Sequence, residues 1–564
     1  MQTDAILILA STGTGLRGAD YVCVAVYMAV VVIMGLMLAR RQQSSDDYFL
    51  GGRAMPWYAV GLSLVASLLS TLSYLGQPGE VIRHGVAFVM GTTLVLPLAF
   101  LIITFLLLPF FMRMRLTSIY EYLELRFGLV TRWIGAAMFV FVLRIPWMAV
   151  IVLTASRAVA QITFDSARSM CSGTFNVDLT HDGWVLTVLL SVGVLATVYT
   201  MLGGIKAVIW TDVLQFVVFL AGLTITIAIV ARQTGTGPAD WWHDATSVQH
   251  EFKLASWDLA ERSTLLLAAI YTIAWFTFTF AGDQVAMQRY FTTPSLRAAI
   301  WSNLAYFGGL ILIQILFALC GMALLTYYTQ NPVELIPGVT DPKDSQVADS
   351  VFPHFIAYGL PIGVSGLLVA ALFAAAMSSV DSGINSVTTV VTVDFLRRLR
   401  AGRQLEHELT VARLLTLAIG IGCTALAWVL MRLPDDWNII DITVRTFDCA
   451  LGPLGAMFFV GMFLPHVGQL AVIVSVASGF AVALVIAWWT ELVWWCGMAG
   501  AVTLDQAQDI ITRPSSFLVI PVSALFTFVL AALLGALLAQ PDLARVQPFT
   551  WRGVVFGHRT QQAN

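Results

Sequence analysis

Charge is what this sequence most lacks: 30 Lys+Arg and 33 Asp+Glu among 564 residues make 11% charged against 58% hydrophobic, where soluble domains carry about 25% charged residues. That scarcity excludes a water-soluble fold. The formal net charge of −3 argues against nucleic acid as a partner, because phosphate binding needs clustered positive charge. Cysteine is sparse too. Cys23, Cys171, Cys320, Cys423, Cys449 and Cys496 form no CxxC pair and no metal-ligand spacing, so no metal or haem site is expected and most read as small buried hydrophobes. There is no HExxH, no GxSxG, no Gly-rich phosphate loop and no evident intramembrane His or Ser–Lys pair, which argues against an enzyme. The run Ile6-Leu7-Ile8-Leu9-Ala10 lacks a basic stretch before it and a convincing small-residue cleavage site after it. No cleaved signal peptide is expected, and the first span serves as the targeting element.

What the chain has in abundance is long apolar runs. Crossing about 30 Å of hydrocarbon takes roughly 20 apolar residues as helix, and such runs recur near 20–40, 57–82, 86–112, 130–163, 184–203, 206–231, 263–288, 297–327, 361–394, 408–431, 438–464, 467–490 and 515–539. The expectation is therefore an all-α polytopic membrane protein of about 13 transmembrane helices. No interval between runs is long enough for a soluble domain. Cytoplasmic loops carry the Lys/Arg excess. Arg40, Arg41 and Arg53 follow the first run, Arg113, Arg115 and Arg126 the third, Arg289 and Arg297 the seventh, and Arg397, Arg398, Arg400 and Arg403 the ninth. Alternation puts all of these on one side, together with Arg545, Arg552 and Arg559. The N-terminus is then expected outside and the C-terminus cytoplasmic, which needs an odd number of spans. The 329–350 and 491–512 loops read as external, which leaves a Cys171–Cys496 disulfide open.

Two runs are interrupted in matching places. Gly76-Gln77-Pro78-Gly79 interrupts the second and Ala281-Gly282-Asp283-Gln284 the seventh; Pro removes a helical donor and Gly loosens the backbone. With runs two to six and seven to eleven taken as two five-helix halves, each half opens on a broken helix, the pattern of an inverted-repeat transporter. The organisation expected is an extra N-terminal helix and cytoplasmic loop over 1–56, a first repeat over 57–232, a second over 263–464, and two peripheral helices with a short tail over 465–564. A plain proline kink is the alternative at either break.

Ionisable groups inside the runs are the next signal. Arg144 sits about twelve residues into the fourth run, roughly 18 Å deep at ~1.5 Å per residue. Asp212, Asp283, Asp381, Asp441, Arg445 and Asp448 also fall at or near membrane depth. A charge at helix centre costs at least ~2.5 to 3.5 kcal/mol on insertion scales, so such residues pair or line a pathway. The structural alternative is mutual pairing, for example Arg445 with Asp441 or Asp448 at helical spacing. The ninth run holds Ala374-Ala375-Ala376-Met377-Ser378-Ser379-Val380-Asp381-Ser382, three hydroxyls and one carboxylate in five positions. Such oxygens suit a hard cation like sodium, although small residues also serve close helix packing.

Several motifs together resemble the solute:sodium symporter family, whose members include sodium/glucose, iodide, monocarboxylate, sialic acid and proline carriers. They are Asp47-Tyr48-Phe49-Leu50-Gly51-Gly52-Arg53, Gly61-Leu62-Ser63-Leu64-Val65-Ala66-Ser67, Tyr120-Glu121-Tyr122-Leu123-Glu124-Leu125-Arg126-Phe127, the Gly203-Gly204-Ile205-Lys206 stretch with Trp210-Thr211-Asp212, Gln288-Arg289-Tyr290 and the serine stretch. The likeness runs over roughly residues 20 to 465. It implies a 5+5 leucine-transporter-type core and a sodium site made by the carbonyls of Ala66, Leu69 and Ala375 with the hydroxyls of Ser378 and Ser379. It implies a possible second cation site at Asp212, Asp381 and Ser382, where Asp381 departs from the family's serine and leaves sodium or proton open.

The sugar carriers' solute contacts fall on Ser73, Leu310 and Arg445, and their gating aromatic pair on Thr279 and Phe280. These departures make a hexose unexpected. The segment from Gly76-Gln77 to Arg83-His84 is similar to the iodide and monocarboxylate branch instead. With Arg144 and Arg445 suited to carboxylates, and Asp283 and Asp448 able to neutralise them or bind an amino group, the expected solute is a small organic anion or zwitterion. Ser73, Gln77, Arg144, Thr279, Phe280, Asp283, Arg445 and Asp448 are the candidate contacts. The alternatives kept are a sugar or other neutral solute, and a transporter-fold sensor signalling to a separate partner chain.

Overall fold

A computed structural model describes residues 16–39, 42, 44–175, 178–248, 264–333, 339, 341–344, 347–399, 407–432, 444–498 and 515–557, and its regular elements are all helical. Asp441, Arg40, Arg41, Arg400, Arg403 and Arg559 lie outside the described residues. The principal helices are α1 (Gly18–Leu38), α2 (Trp57–Leu68), α3 (Thr71–His84), α4 (Val89–Met114), α5 (Leu129–Ser172), α6 (His181–Thr234), α7 (Leu265–Gly282), α8 (Gln284–Phe291), α9 (Leu296–Gln330), α10 (Ala348–His354), α11 (Val364–Leu399), α12 (Glu408–Leu430), α13 (Arg445–Phe463), α14 (Gln469–Ala487) and α15 (Ser516–Leu537). Helix is the natural outcome, since in lipid the backbone must satisfy its own hydrogen bonds.

Among the described residues, eleven helices are long and apolar enough to cross a membrane, or twelve when the bent pair α2 and α3 counts as one span. One of them, α6, runs 54 residues, about 80 Å at ~1.5 Å per residue, far more than one crossing. Gly204 interrupts it with φ 51 and ψ −159, so α6 is two helical segments joined at a kink, and they fall on the runs expected near 184–203 and 206–231. Only glycine suits that backbone: a β-carbon there would lie 2.8 Å from the Tyr48 carbonyl oxygen.

The most buried elements are the ones the site needs. Nearly every residue of α11 from Leu368 to Val390 is buried, and all eight of α8 are. The α11 helix packs against α6, α5, α1 and α2, while α7 packs against α4 and α13. At the α7–α13 crossing a β-carbon on Gly282 would come within 3.0 Å of the Gly455 backbone, so glycine on both helices sets the approach.

Three expectations are corrected here. The first helix break lies at Leu69 and Ser70, whose φ/ψ of −93/127 and −112/176 are extended, seven residues before Gly76. Pro78 lies inside α3 instead, where the missing donor is tolerated and Gly321 of α9 packs against it, a β-carbon at Gly321 meeting the Pro78 carbonyl oxygen at 2.8 Å. Arg289 is not a loop cation, because it is fully buried on α8. Arg126 is also buried, and its guanidinium binds the carbonyls of Gly461, Leu464, Pro465 and Val467 at 2.8–3.2 Å, satisfying the acceptors that the end of α13 leaves open.

Candidate functional site

The break between α2 and α3 brings backbone oxygens to the serines of α11. Ser378 donates to the carbonyls of Ala66 (2.9 Å) and Ala375 (3.1 Å), and Ser379 to those of Leu69 (3.2 Å) and Ser67 (3.3 Å). All five oxygens expected from the sequence are thus gathered, and the Ser67 carbonyl joins them. A hydroxyl rotates freely and offers lone pairs as readily as its proton. Two such rotors facing four carbonyls can turn their oxygens inward around a cation.

The second break is finished differently. Asp283, extended between α7 and α8, caps α8 by accepting from the Val285 amide at 2.9 Å, and it is ion-paired to Arg144, whose Nε lies 3.2 Å from Oδ1. Tyr120 donates to the freed Gly282 carbonyl at 2.7 Å, and Gln284 reaches the Ile119 amide at 2.9 Å. A phenol hydroxyl answers the freed carbonyl at this break, whereas at the first the small hydroxyls of Ser378 and Ser379 do.

Beside the first break, Asp212, Asp381 and Ser382 come together around Arg289, which the sequence reading had placed in a loop. Arg289 donates to Asp212 (3.2 Å), Ser63 (2.9 Å), Ser67 (2.5 Å), the Val285 carbonyl (2.8 Å) and Ser382. Ser63 and Ser67 also donate to Asp212, at 2.6 and 2.8 Å. Asp381 accepts from Tyr199 and, at 3.0 Å, from Ser382. Two carboxylates against one guanidinium leave a formal excess of one negative charge in a fully buried cluster. Asp212 Oδ1 has no hydrogen-bond partner there among the described residues, the kind of vacancy a cation fits. The Gln288-Arg289-Tyr290 motif was the signal: its residues lie on a helix with no exposed face.

Beside the first break lies a cavity of about 230 Å³. Its floor shares Ser67, Leu69 and Ser379 with the oxygen cage, and its walls include Ser73, Gln77, Arg144 and Leu310. Thr279, Phe280, Asp283, Arg445 and Asp448 do not line it. Thr279 is buried, and Phe280 packs on Tyr290 and Tyr306 at 5.9 and 5.5 Å between centroids. From α7 the lining comes one to two turns before them, from Tyr271, Thr272, Trp275 and Phe276. Arg445 pairs with Glu491 at 2.5 Å and lies 4.6 Å over Trp488, and Asp448 accepts from Tyr271 at 3.1 Å. The reason is local: 444–448 winds as a π turn, so α-helical spacing does not carry across it. Phe447 reaches the cavity where Arg445 was expected. At the mouth, Arg83 bridges Glu80 (3.2 Å) and Asp349 (2.9 Å). Cys171 and Cys496 are both free.

The sodium:solute symporter family model matches residues 48–479. A sodium/sialic acid symporter, NanT of Aliivibrio fischeri, is 28% identical over 474 residues, covering 82% of this chain and 87% of the relative. The human sodium/iodide cotransporter is 30% identical over 479 residues, covering 83% and 69%. A solved sodium-coupled sialic acid symporter in a substrate-bound outward-open state superposes with TM-score 0.74 at 24% identity, over 93% of this chain and 99% of that one.

Proposed function

Because this chain belongs to the sodium:solute symporter family, a family of sodium-coupled membrane transporters and not of enzymes, we propose that it carries a small organic zwitterion or carboxylate by alternating access, driven by sodium at the Ala66, Leu69, Ala375, Ser378 and Ser379 oxygens. The observation that carries this reading is the shared floor. Ser67, Leu69 and Ser379 belong both to the oxygen cage and to the cavity, so an ion that orders the break at Leu69 also shapes the solute's seat. Ion and solute then favour each other's binding by the same free energy.

The charge inventory supports a zwitterion over a simple inorganic anion. Arg144 is opposed by Asp283, and Arg83 by Glu80 and Asp349, so the cavity has no positive excess. Leu310 on the wall offers a sugar no hydrogen bond. Asp212, Asp381 and Ser382, with their excess negative charge, are read as a second cation site. Residues 57–232 and 263–464 are read as the two inverted repeats, with the N-terminus outside and the C-terminus cytoplasmic.

The energetics suit this assignment. An inward charge gains about 2.3 kcal/mol at 100 mV, and a tenfold sodium gradient adds about 1.4 kcal/mol. One sodium therefore supports roughly several-hundredfold accumulation of a net-neutral solute, whereas a monoanion would use only the chemical term. Proteoliposome uptake with sodium outside, compared with choline or potassium, tests the proposal. Sodium should drive accumulation of a radiolabelled amino acid or carboxylate, and equal uptake in all three media would rule symport out.

A further inference from the structure

Away from the solute cavity, α6 and α12 enclose a groove of about 560 Å³, walled by Leu190, Val194 and Val198 on one helix and by Leu417, Ile421 and Trp428 on the other. Its floor is a close crossing. A β-carbon at Gly193 would collide with the Thr424 hydroxyl, and one at Gly420 with that of Thr197, so glycine on each helix admits the other's threonine. Both hydroxyls turn back onto their own helices, Thr197 to the Gly193 carbonyl at 2.6 Å and Thr424 to the Gly420 carbonyl at 2.8 Å. Neither proton is left for a ligand. The same pairings make the helices antiparallel, so Leu186 and Trp428 share one end of the groove and Val198 and Leu417 the other. From Leu186 to Val198 the groove spans about 18 Å at ~1.5 Å per residue, close to half of the roughly 30 Å of bilayer hydrocarbon. It is about one leaflet long.

Charge appears at the Trp428 end. Arg432, exposed just past the end of α12, lays its guanidinium 4.2 Å over the Trp428 ring, and no carboxylate among the described residues pairs with it, Asp182 at the start of α6 included. An amphipathic ring that closes an apolar groove beneath an unpaired cation suits the boundary between hydrocarbon and headgroups. We propose that this groove binds an anionic glycerophospholipid, with one acyl chain lying between α6 and α12 and the phosphate meeting Arg432. A two-fold contact between copies of the chain through the same groove would instead bring two Arg432 side chains to one face with no anion between them. Because the acyl chain is in apolar surroundings bound or free, the gain comes from packing and charge, and one arginine at the membrane surface is worth about fivefold for an anionic lipid.

The purified full chain in detergent is titrated with dioleoyl phosphatidylglycerol and with dioleoyl phosphatidylcholine, affinity being read from saturable thermal stabilisation and bound lipid counted by native mass spectrometry. Phosphatidylglycerol should bind about fivefold more tightly. Arg432→Gln should bring the two lipids to equal affinity, and Arg432→Lys should restore part of the preference. Ala425→Phe, at an exposed groove position, should weaken both lipids, whereas Val429→Phe, exposed but outside the lining, should weaken neither. Equal affinity for the two lipids in the wild-type chain, or a preference that survives Arg432→Gln, overturns the site. An Ala425→Phe chain that binds both lipids as the wild type does overturns it too. A dimer that Ala425→Phe dissociates would overturn it in favour of a contact between copies.

Discussion

Ser67 presents its carbonyl oxygen to the Ser379 hydroxyl at 3.3 Å and its own hydroxyl to Asp212 at 2.8 Å, so one residue at the first helix break joins the oxygen cage to the buried charge cluster. If the cage holds sodium, the α11 hydroxyls are direct ligands. Ser378→Ala and Ser379→Ala should each raise the sodium concentration for half-maximal uptake, since a contact to a charged partner is worth about 1.5 to 3 kcal/mol, roughly tenfold to a hundredfold. The double variant should abolish sodium dependence. Sodium titration of proteoliposome uptake measures this, and unchanged half-saturation would refute the site.

Arg289 carries the charge balance of the neighbouring cluster. Arg289→Met leaves two carboxylates buried together, and losing one partner of a buried pair costs about 3–5 kcal/mol. Adding Asp381→Ser to Arg289→Met returns the excess to one negative charge and should recover part of the lost melting temperature. Asp381→Ser alone should remain folded but lower the Hill coefficient for sodium. If the double variant melts no higher than Arg289→Met, charge is not what Arg289 supplies.

The membrane class, the span pattern and the five cage oxygens were legible because they depend on long apolar runs and on short motifs read in register. What failed was position where helical regularity fails. The glycine and proline at 76–79 looked like the break, yet α3 absorbs them, and the true break at Leu69 and Ser70 carries no breaker residue, being held open by contacts from α11 far along the chain. Arg445 missed the cavity because its π turn rotates the register, and Phe447 takes its place. Arg289 and the cavity-lining Gln314 were missed for a different reason. Nothing local tells a charged residue near the end of an apolar run from a loop cation, and a glutamine one turn beyond a matched position has no motif to mark it.

Arg445 therefore provides a contrast. Its contacts include Glu491, about one-third exposed, and the Trp488 face, worth about 0 to 1 kcal/mol and about 0.5 to 1 kcal/mol respectively. Arg445→Met should lower the melting temperature modestly while solute and sodium half-saturation stay within about twofold, as expected for a residue that leaves bound and free states equally affected. A changed solute preference in competition assays would return Arg445 to the cavity.

The cavity mouth should respond to acid through α10. This helix carries Asp349, the partner of Arg83, and ends on His354, whose Nδ1 lies 2.6 Å from the Tyr328 hydroxyl. The Tyr358 ring lies 4.9 Å away, and Tyr358 in turn donates to Asp165 at 3.1 Å. Burial lowers the His354 pKa from its ordinary 6.5. Above pH 6.5 the imidazole is neutral whether α10 is docked or not, so its contribution is fully present. As pH falls below 6.5 the undocked histidine gains a proton that the docked one resists, and the stabilisation is lost until the docked form titrates too. Melting temperature should therefore fall more steeply from pH 7 to 5 in the wild-type chain than in His354→Gln. Parallel pH profiles for the two proteins would show that α10 docking does not depend on a neutral His354.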